Sequence, residues 1–379
     1  MKIQQRCWMG GAWNSKEGWS LGKSAQLVLA FGTGQILSNT QLMEEVRKAH
    51  PAAQVIGCST AGEICGTNVN DDSLVVTAIA FQQTQVRVAQ TTFGESTSSF
   101  IAGQKLASEL AADDLVHVLV FSDGLNVNGS ELVKGLSATM TANVAVTGGM
   151  SGDGSKFQRT LTYCNGTLAD RVVVAVGLYG SHLRAGYGSL GGWDPFGPER
   201  VITRSAGNVL YELDGESALA LYKRYLGPYA AELPASGLRF PLSIRASLSD
   251  TAVVRTILGI DEKQQSMTFA GDIPQGSYAR LMRSSFERLV GGATTAATRS
   301  QEALGSDSAE LAILISCVGR KLILQQRTDE EVDAVRAVLG KGAVLTGFYS
   351  YGEISPFQFT SKCELHNQTM TVTVFREAA

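Results

Sequence analysis

Near its two ends the chain spells one local pattern twice, and that repetition constrains the fold more than any other feature. In the N-terminal copy, residues 24–31 read as a buried strand. A helix follows with Leu42, Val46 and Ala49 on one face and Ser38 and Gln41 as its capping pair. The run Gly57-Cys58-Ser59-Thr60-Ala61-Gly62-Glu63-Ile64 comes next, and then a strand over residues 74–81. The C-terminal copy keeps this order: a strand at 309–316, and a helix that opens on Thr328-x-x-Glu331, buries Val332, Val335 and Leu339 and stops at Gly340. It then gives Gly347-Phe348-Tyr349-Ser350-Tyr351-Gly352-Glu353-Ile354 and a strand at 370–375. The shared signature is Gly-x-x-[Ser/Thr]-x-Gly-Glu-Ile, and a pseudo-twofold axis is expected to relate its two occurrences.

A third copy lies between them, as a strand at 115–121, a helix at 129–140, a strand at 144–149, a glycine-rich turn and a strand at 171–179. A fourth, weaker copy is read over residues 242–271. Strands alternating with helices imply an α/β fold of duplicated strand-helix-strand-strand units forming helix-covered sheets in two related domains. The densest Gly/Pro stretch, residues 191–198, places the boundary near residue 200. The expected division is an N-terminal extension (1–23), a first domain (24–200) and a second (201–379), with further helices over 208–226 and 277–304.

Composition narrows the function classes. A net charge of −3 and a pI of about 5.9 give no field for nucleic acid or an anionic membrane. No apolar run reaches membrane-spanning length and no signal peptide is visible, so the sequence reads as cytoplasmic, without membrane insertion. The 6 cysteines lie far apart without a Cys-x-x-Cys, which favours reduced thiols over a zinc or disulfide framework. Nucleophile-elbow, zinc-protease and phosphate-loop signatures are missing, so the expectation is a protein that is not an enzyme. The enzymatic alternative is a hydrolase using Cys58 or Ser59 with His366 as base.

The candidate site gathers around the two signatures. Glycines beside a short polar turn allow close backbone approach to a ligand, and Glu63 and Glu353 could accept from one. The expectation is that Ser59, Thr60, Gly62, Glu63, Tyr349, Ser350, Tyr351, Gly352, Glu353 and Asn367 line a polar concave surface. Of the 4 histidines, His117 reads as a core residue, His50 as a cation at a helix C-terminus, and His182 as a strand-end residue. By period two His366 shares a face with Gln368, Met370, Val372 and Val374.

These motifs resemble a known family. The run at 57–64, the Gly148-Gly149 turn and Gly192-Trp193-x-Pro195 are similar to the N-terminal FIST (F-box and intracellular signal transduction) domain. The run at 347–354 with Leu365-His366-Asn367-Gln368-Thr369 is similar to its C-terminal partner. The resemblance implies a small-ligand sensor that acts on a separate histidine kinase or cyclic-di-GMP enzyme, with a homodimer as one possible assembly. One bacterial branch, the NosP type, binds haem and senses nitric oxide. On that branch the cofactor is haem b, with His366 as iron ligand and His182 as the second choice. Another small polar ligand, such as an amino acid, is the alternative.

Overall fold

The computed structural model describes residues 1–94, 98–141, 143–247, 249–356 and 363–378. Its main body is α/β, with sheets covered by helices, and the repeated unit occurs three times. Each unit has a leading strand, a first core strand, a helix, a second core strand, a short hairpin and a closing strand. In the first unit the leading strand is Lys2–Met9 and the core strands are Leu27–Gly32 and Gln54–Ser59. The helix between them is Thr40–Ala49, and the closing strand is Ser73–Ala80. The second unit uses Gln85–Thr92, Leu115–Ser122, Gly129–Thr139, Ala145–Met150 and Val172–Tyr179 in those roles. The third uses Leu183–Leu190, Leu311–Cys317, Thr328–Leu339, Val344–Ser350 and Met370–Glu377. The two core strands pair in parallel across the helix, and the closing strand pairs antiparallel to the first core strand. The leading strand then pairs with the closing strand, so Lys2–Met9 is part of a sheet rather than an extension before the fold.

The hairpins are exchanged in a ring. Glu63–Cys65 of the first unit adds to Val344–Ser350 of the third, and Gly352–Pro356 of the third adds to Ala145–Met150 of the second. Thr162–Cys164 of the second adds to Gln54–Ser59 of the first, so the exchange closes after three steps. The relation between the two Gly-Glu-Ile turns is therefore one leg of a pseudo-threefold arrangement, not a pseudo-twofold. In the second unit Thr162, opposite Cys58, stands where the others carry glutamate.

Side-chain alternation decides which face goes where. Leu27, Leu29 and Phe31 point to a central core with Leu119, Phe121, Leu311, Ile313, Ile315 and Phe348, drawn from all three units. Phe31 lies 5.5 Å from Phe121 and 4.8 Å from Phe348 between ring centroids, so the aromatic contacts tie the units together. Val28 and Ala30, on the opposite face, pack beneath Leu42, Met43 and Val46 of the first helix. That helix is capped by Asn39, whose Oδ1 accepts from Leu42 N–H, and not by Ser38.

Glycine at the centre of each second core strand is a steric necessity. A Cβ on Gly57, Gly148 or Gly347 would stand 1.7, 1.9 or 1.8 Å from the carbonyl oxygen of Ala30, Val120 or Leu314 on the parallel neighbour. Gly57→Ala is expected to cost at least about 3 kcal/mol, the upper end for overpacking. Urea denaturation of the purified variant measures it.

Between its leading strand and its helices the third unit is interrupted. Residues 194–283 form an 8-stranded sheet from Asp194–Ala206 to Tyr278–Arg283, with Ala218–Leu226 as a helix packed on it through Leu219, Tyr222 and Leu226. The strands Leu242–Arg245, Val253–Arg255, Ile257–Asp261 and Ser266–Phe269 belong to this sheet and pair antiparallel, so the fourth copy is not one. The stretches expected as helices over 208–226 and 277–304 each begin as a strand, Val209–Leu213 and Tyr278–Arg283, and become helical only at Ala218 and Phe286. Both strands bury residues against the inserted core (Leu210 and Leu213, Ala279 and Leu281), and that tertiary pairing overrides the local helical reading. Among the described residues no helix is long and apolar enough to cross a membrane.

Candidate functional site

The two signature glutamates are built identically. Glu63 accepts from the hydroxyl of Thr60, three residues back, and through its other oxygen from the Ser73 N–H (3.1 Å) and hydroxyl (2.8 Å). Glu353 accepts from Ser350 Oγ at 2.6 Å and from the N–H (3.1 Å) and hydroxyl (2.9 Å) of Thr369. Ser73 and Thr369 stand at equivalent places where the closing strands begin. Each carboxyl thus braces the turn that sends a hairpin to the neighbouring unit. Thr162 makes the matching link in the second unit with its hydroxyl to the Val172 carbonyl, at 3.1 Å. Both glutamates are fully buried. Burial pushes Glu63 up to about 7 and Glu353 up to about 8, although the hydroxyl and amide donors pull the other way.

The concave polar surface expected at these turns is therefore absent from them. Ser59, Thr60, Glu63, Tyr349, Ser350, Glu353 and Asn367 are buried in the packed interior, along with Gly62 and Gly352. Their polar atoms are spent on the protein: Ser59 Oγ accepts from Leu161 N–H (2.8 Å), and Tyr349 donates to Glu331 (2.6 Å). Asn367 Nδ2 donates to the His366 carbonyl (3.0 Å). Gly62, with φ 138°, leaves the space that Lys321 fills as it reaches the Ala61 carbonyl at 2.9 Å. Ser59→Ala is expected to cost about 1–3 kcal/mol by stranding the Leu161 N–H, read as a shift in thermal midpoint. The Cys58 thiol is fully buried and raised by that burial and by Glu63, which is the wrong direction for a nucleophile. Glu331, expected as a capping residue, instead pairs with Arg320 at 2.6 Å in the interior and accepts from Ser316 and Tyr349.

The histidines do not fit a haem iron. His366 is buried, and its Nε2 lies 2.9 Å from the Ser355 carbonyl oxygen, so that nitrogen donates a proton and has no lone pair to offer. Burial lowers its pKa to about 4. A turn at Gln368, φ 61°, separates its strand from Met370–Glu377, so the expected common face does not exist. His182 is half-buried, between the closing strand of one unit and the leading strand of the next, and lines neither of the cavities described below. His117 is a core residue as expected, with Nε2 2.8 Å from Thr147 Oγ1. His50 is buried beside Trp19, and desolvation lowers its pKa, so it is no cation on the helix dipole. Among the described residues no cluster of three or more His, Cys, Asp or Glu could hold a metal ion.

Of the expected residues, Tyr351 reaches the larger of two cavities. About 740 Å³ opens where the turn at 124–129 of the second unit, the start of the third unit's helix Val318–Leu324 and the inserted sheet meet. Phe157, from the glycine-rich turn of the second unit, stacks on Tyr351 with centroids 4.4 Å apart and planes 17° from parallel. Asp153 fixes this arrangement. It accepts the Tyr351 hydroxyl and the N–H groups of Phe157 (2.9 Å), Gln158 (2.8 Å) and Arg159 (2.8 Å), holding Phe157 at φ 52°. A phenylalanine in the left-handed region is costly, and here the loop is over-determined to present its ring. A second cavity of about 470 Å³, beside Trp193, Arg245, Arg280 and His366, lies on the other side of the insert's root. The sequence carried no sign of the larger cleft, because its walls come from turns far apart in the chain.

The repeated α/β units with exchanged hairpins and an interposed sheet define a multi-unit scaffold with a ligand-sized cleft at its junctions. The chain belongs to the FIST family: residues 26–216 match the FIST N domain and residues 218–356 the FIST C domain, which are small-ligand sensor domains of signal transduction. An uncharacterized protein of Methanocaldococcus jannaschii is 22% identical over 276 residues, which is 66% of this chain and 52% of that protein. The chain thus spans about half the length of the curated relative it matches. A chorismatase crystal structure aligns with TM-score 0.39 at 11% identity over 99% of this chain and 98% of that one. A cyanuric acid hydrolase from A. caulinodans aligns with TM-score 0.18 at 12% identity over 78% and 100%. Both structural likenesses are too slight to argue from.

Proposed function

We propose that this chain senses a small molecule in the 740 Å³ cleft between the second unit, the third unit and the inserted sheet. One observation carries the reading. Leu125, Phe157, Leu258 and Leu322, each between 38% and 47% exposed, all line this one cleft. Large apolar side chains held open to water around a concavity are the mark of a binding site. The cleft's walls belong to two units and to the inserted sheet, which has a core of its own. The insert is tied to the units there by Asn128 to Asp272 (3.0 Å), Lys134 to Asp272 (3.2 Å) and Arg255 to the Leu365 carbonyl (2.8 Å). A ligand bridging these walls favours one seating of the insert, and a partner protein reads that seating. A histidine kinase or a cyclic-di-GMP enzyme in the cytoplasm is the partner class we propose. The buried Cys58 and Ser59 argue against hydrolysis as the output, and the placement of His366 and His182 argues against haem-based nitric oxide sensing.

Ala235 is exposed on the cleft wall, so Ala235→Trp fills the space without disturbing the core. Equilibrium dialysis of a metabolite extract against wild type and this variant tests the proposal. Wild type should retain a small molecule that Ala235→Trp does not. Equal retention by both would place the site elsewhere, and a Soret band on the wild type would favour haem instead.

A further inference from the structure

Resting on the cleft as the ligand site, we infer that its ligand is an uncharged aromatic molecule carrying an N–H or O–H donor. Asp272 is the sole charged side chain among the described residues lining it, and it is already engaged by Lys134 and Asn128. An ionised ligand would leave water and find no counter-charge. The flat surface for it is the Phe157–Tyr351 stack, whose outer ring, Phe157, is 41% exposed and held out by its tethered loop. An aromatic ligand continues that stack, which isolated aliphatic walls would not favour over other apolar shapes.

The free polar atoms set the hydrogen-bonding sense. Asn126 commits one Nδ2 hydrogen to Asp123 (2.9 Å), and Asn208 commits one to the Phe269 carbonyl (2.8 Å). No described residue donates to the Oδ1 of either, so both carboxamides offer acceptors to the cleft. Tyr351 has no donor left, because its hydroxyl proton goes to Asp153. These two unpartnered acceptors favour a ligand that donates, and the buried, unpartnered hydroxyl of Thr256 on the same wall can pair with the same ligand group.

The probes are 2-naphthol, 2-methoxynaphthalene and 2-naphthoate, titrated at neutral pH by fluorescence into the full chain and into Phe157→Ala, Asn126→Leu and Ala235→Trp. 2-Naphthol should bind wild type, 2-methoxynaphthalene about tenfold more weakly for want of its donor, and 2-naphthoate weaker still. Phe157→Ala should weaken 2-naphthol about tenfold. Asn126→Leu should narrow the gap between naphthol and its methyl ether, a readout that loss of fold would not produce. Binding of 2-naphthoate as tight as that of 2-naphthol, abolished in Ala235→Trp, would overturn the ligand class while leaving the cleft as the site. No binding of 2-naphthol to wild type, or binding unchanged in Phe157→Ala and Asn126→Leu, would overturn the inference as well. The cleft itself would then stand or fall on the extract dialysis.

Discussion

Arg320→Met should destabilise the fold by about 3–5 kcal/mol, the cost of breaking a buried ion pair by removing one partner. Arg320 is fully buried: Nε (3.0 Å) and Nη2 (2.6 Å) donate to Glu331, Nη2 also donates to the Leu289 carbonyl (2.8 Å), and Nη1 donates to the Gly191 carbonyl (2.6 Å). It therefore joins the helices Phe286–Glu302, Val318–Leu324 and Thr328–Leu339 to the point where the chain leaves for the inserted sheet. Methionine fills the aliphatic volume but leaves Glu331 ionised and without its cation. Glu331 keeps its hydroxyl donors from Ser316 and Tyr349, which soften the loss but do not remove it. Arg320→Met with Glu331→Gln should recover more than half, since no lone charge then remains buried. Denaturant titration of both variants gives the comparison, and an additive double variant would show that the pair is not coupled.

The second large effect is a pH dependence. The carboxyls of Glu63 and Glu353 titrate at about 7 and about 8 in the folded chain, above the ordinary 4.5. For a folded-state pKa raised in this way the stabilisation is complete below the unfolded value and is lost as pH rises through the folded one. His117 and His366 are displaced the other way, to about 3 and about 4, so their stabilisation is lost on acidification. The two trends oppose each other in mild acid, and comparison with Glu63→Gln/Glu353→Gln isolates the carboxyls. Relative to that variant, wild type should lose about 2 kcal/mol between about pH 6.5 and about pH 8. The neighbouring groups, Cys58 and Asp71 for Glu63 and Cys317 and Arg320 for Glu353, remain in both proteins. A gap that stays constant over this range would mean that both carboxyls are ionised throughout.

The repeated units were legible because a buried parallel strand, an amphipathic helix and a glycine-bearing second strand each leave a local pattern. Gly57, Gly148 and Gly347 made the alignment possible, and their steric role is the same in all three units. What the pattern could not convey is partner choice. The residues of a hairpin look alike whether they pair within their own unit or cross to the next, so Glu63–Cys65 gave no hint that it adds to Val344–Ser350. The same blindness made Glu63 and Glu353 look like ligand-binding groups. A glycine-flanked carboxyl reads equally as an open cradle or as a brace on Ser73 and Thr369, and only burial separates the two. Tyr351 was found through the signature, whereas Phe157, Asp153 and Asn126 sit in turns with no periodicity to reveal them.

Amide hydrogen exchange, with and without the small molecule retained from the extract, tests the placement of the site most directly. Slowed exchange is expected at residues 124–129 and 256–258, with no change at residues 59–63 and 352–353, which are already closed within the interior. Slowing confined to the two Gly-Glu-Ile turns, with the cleft unchanged, would contradict the account.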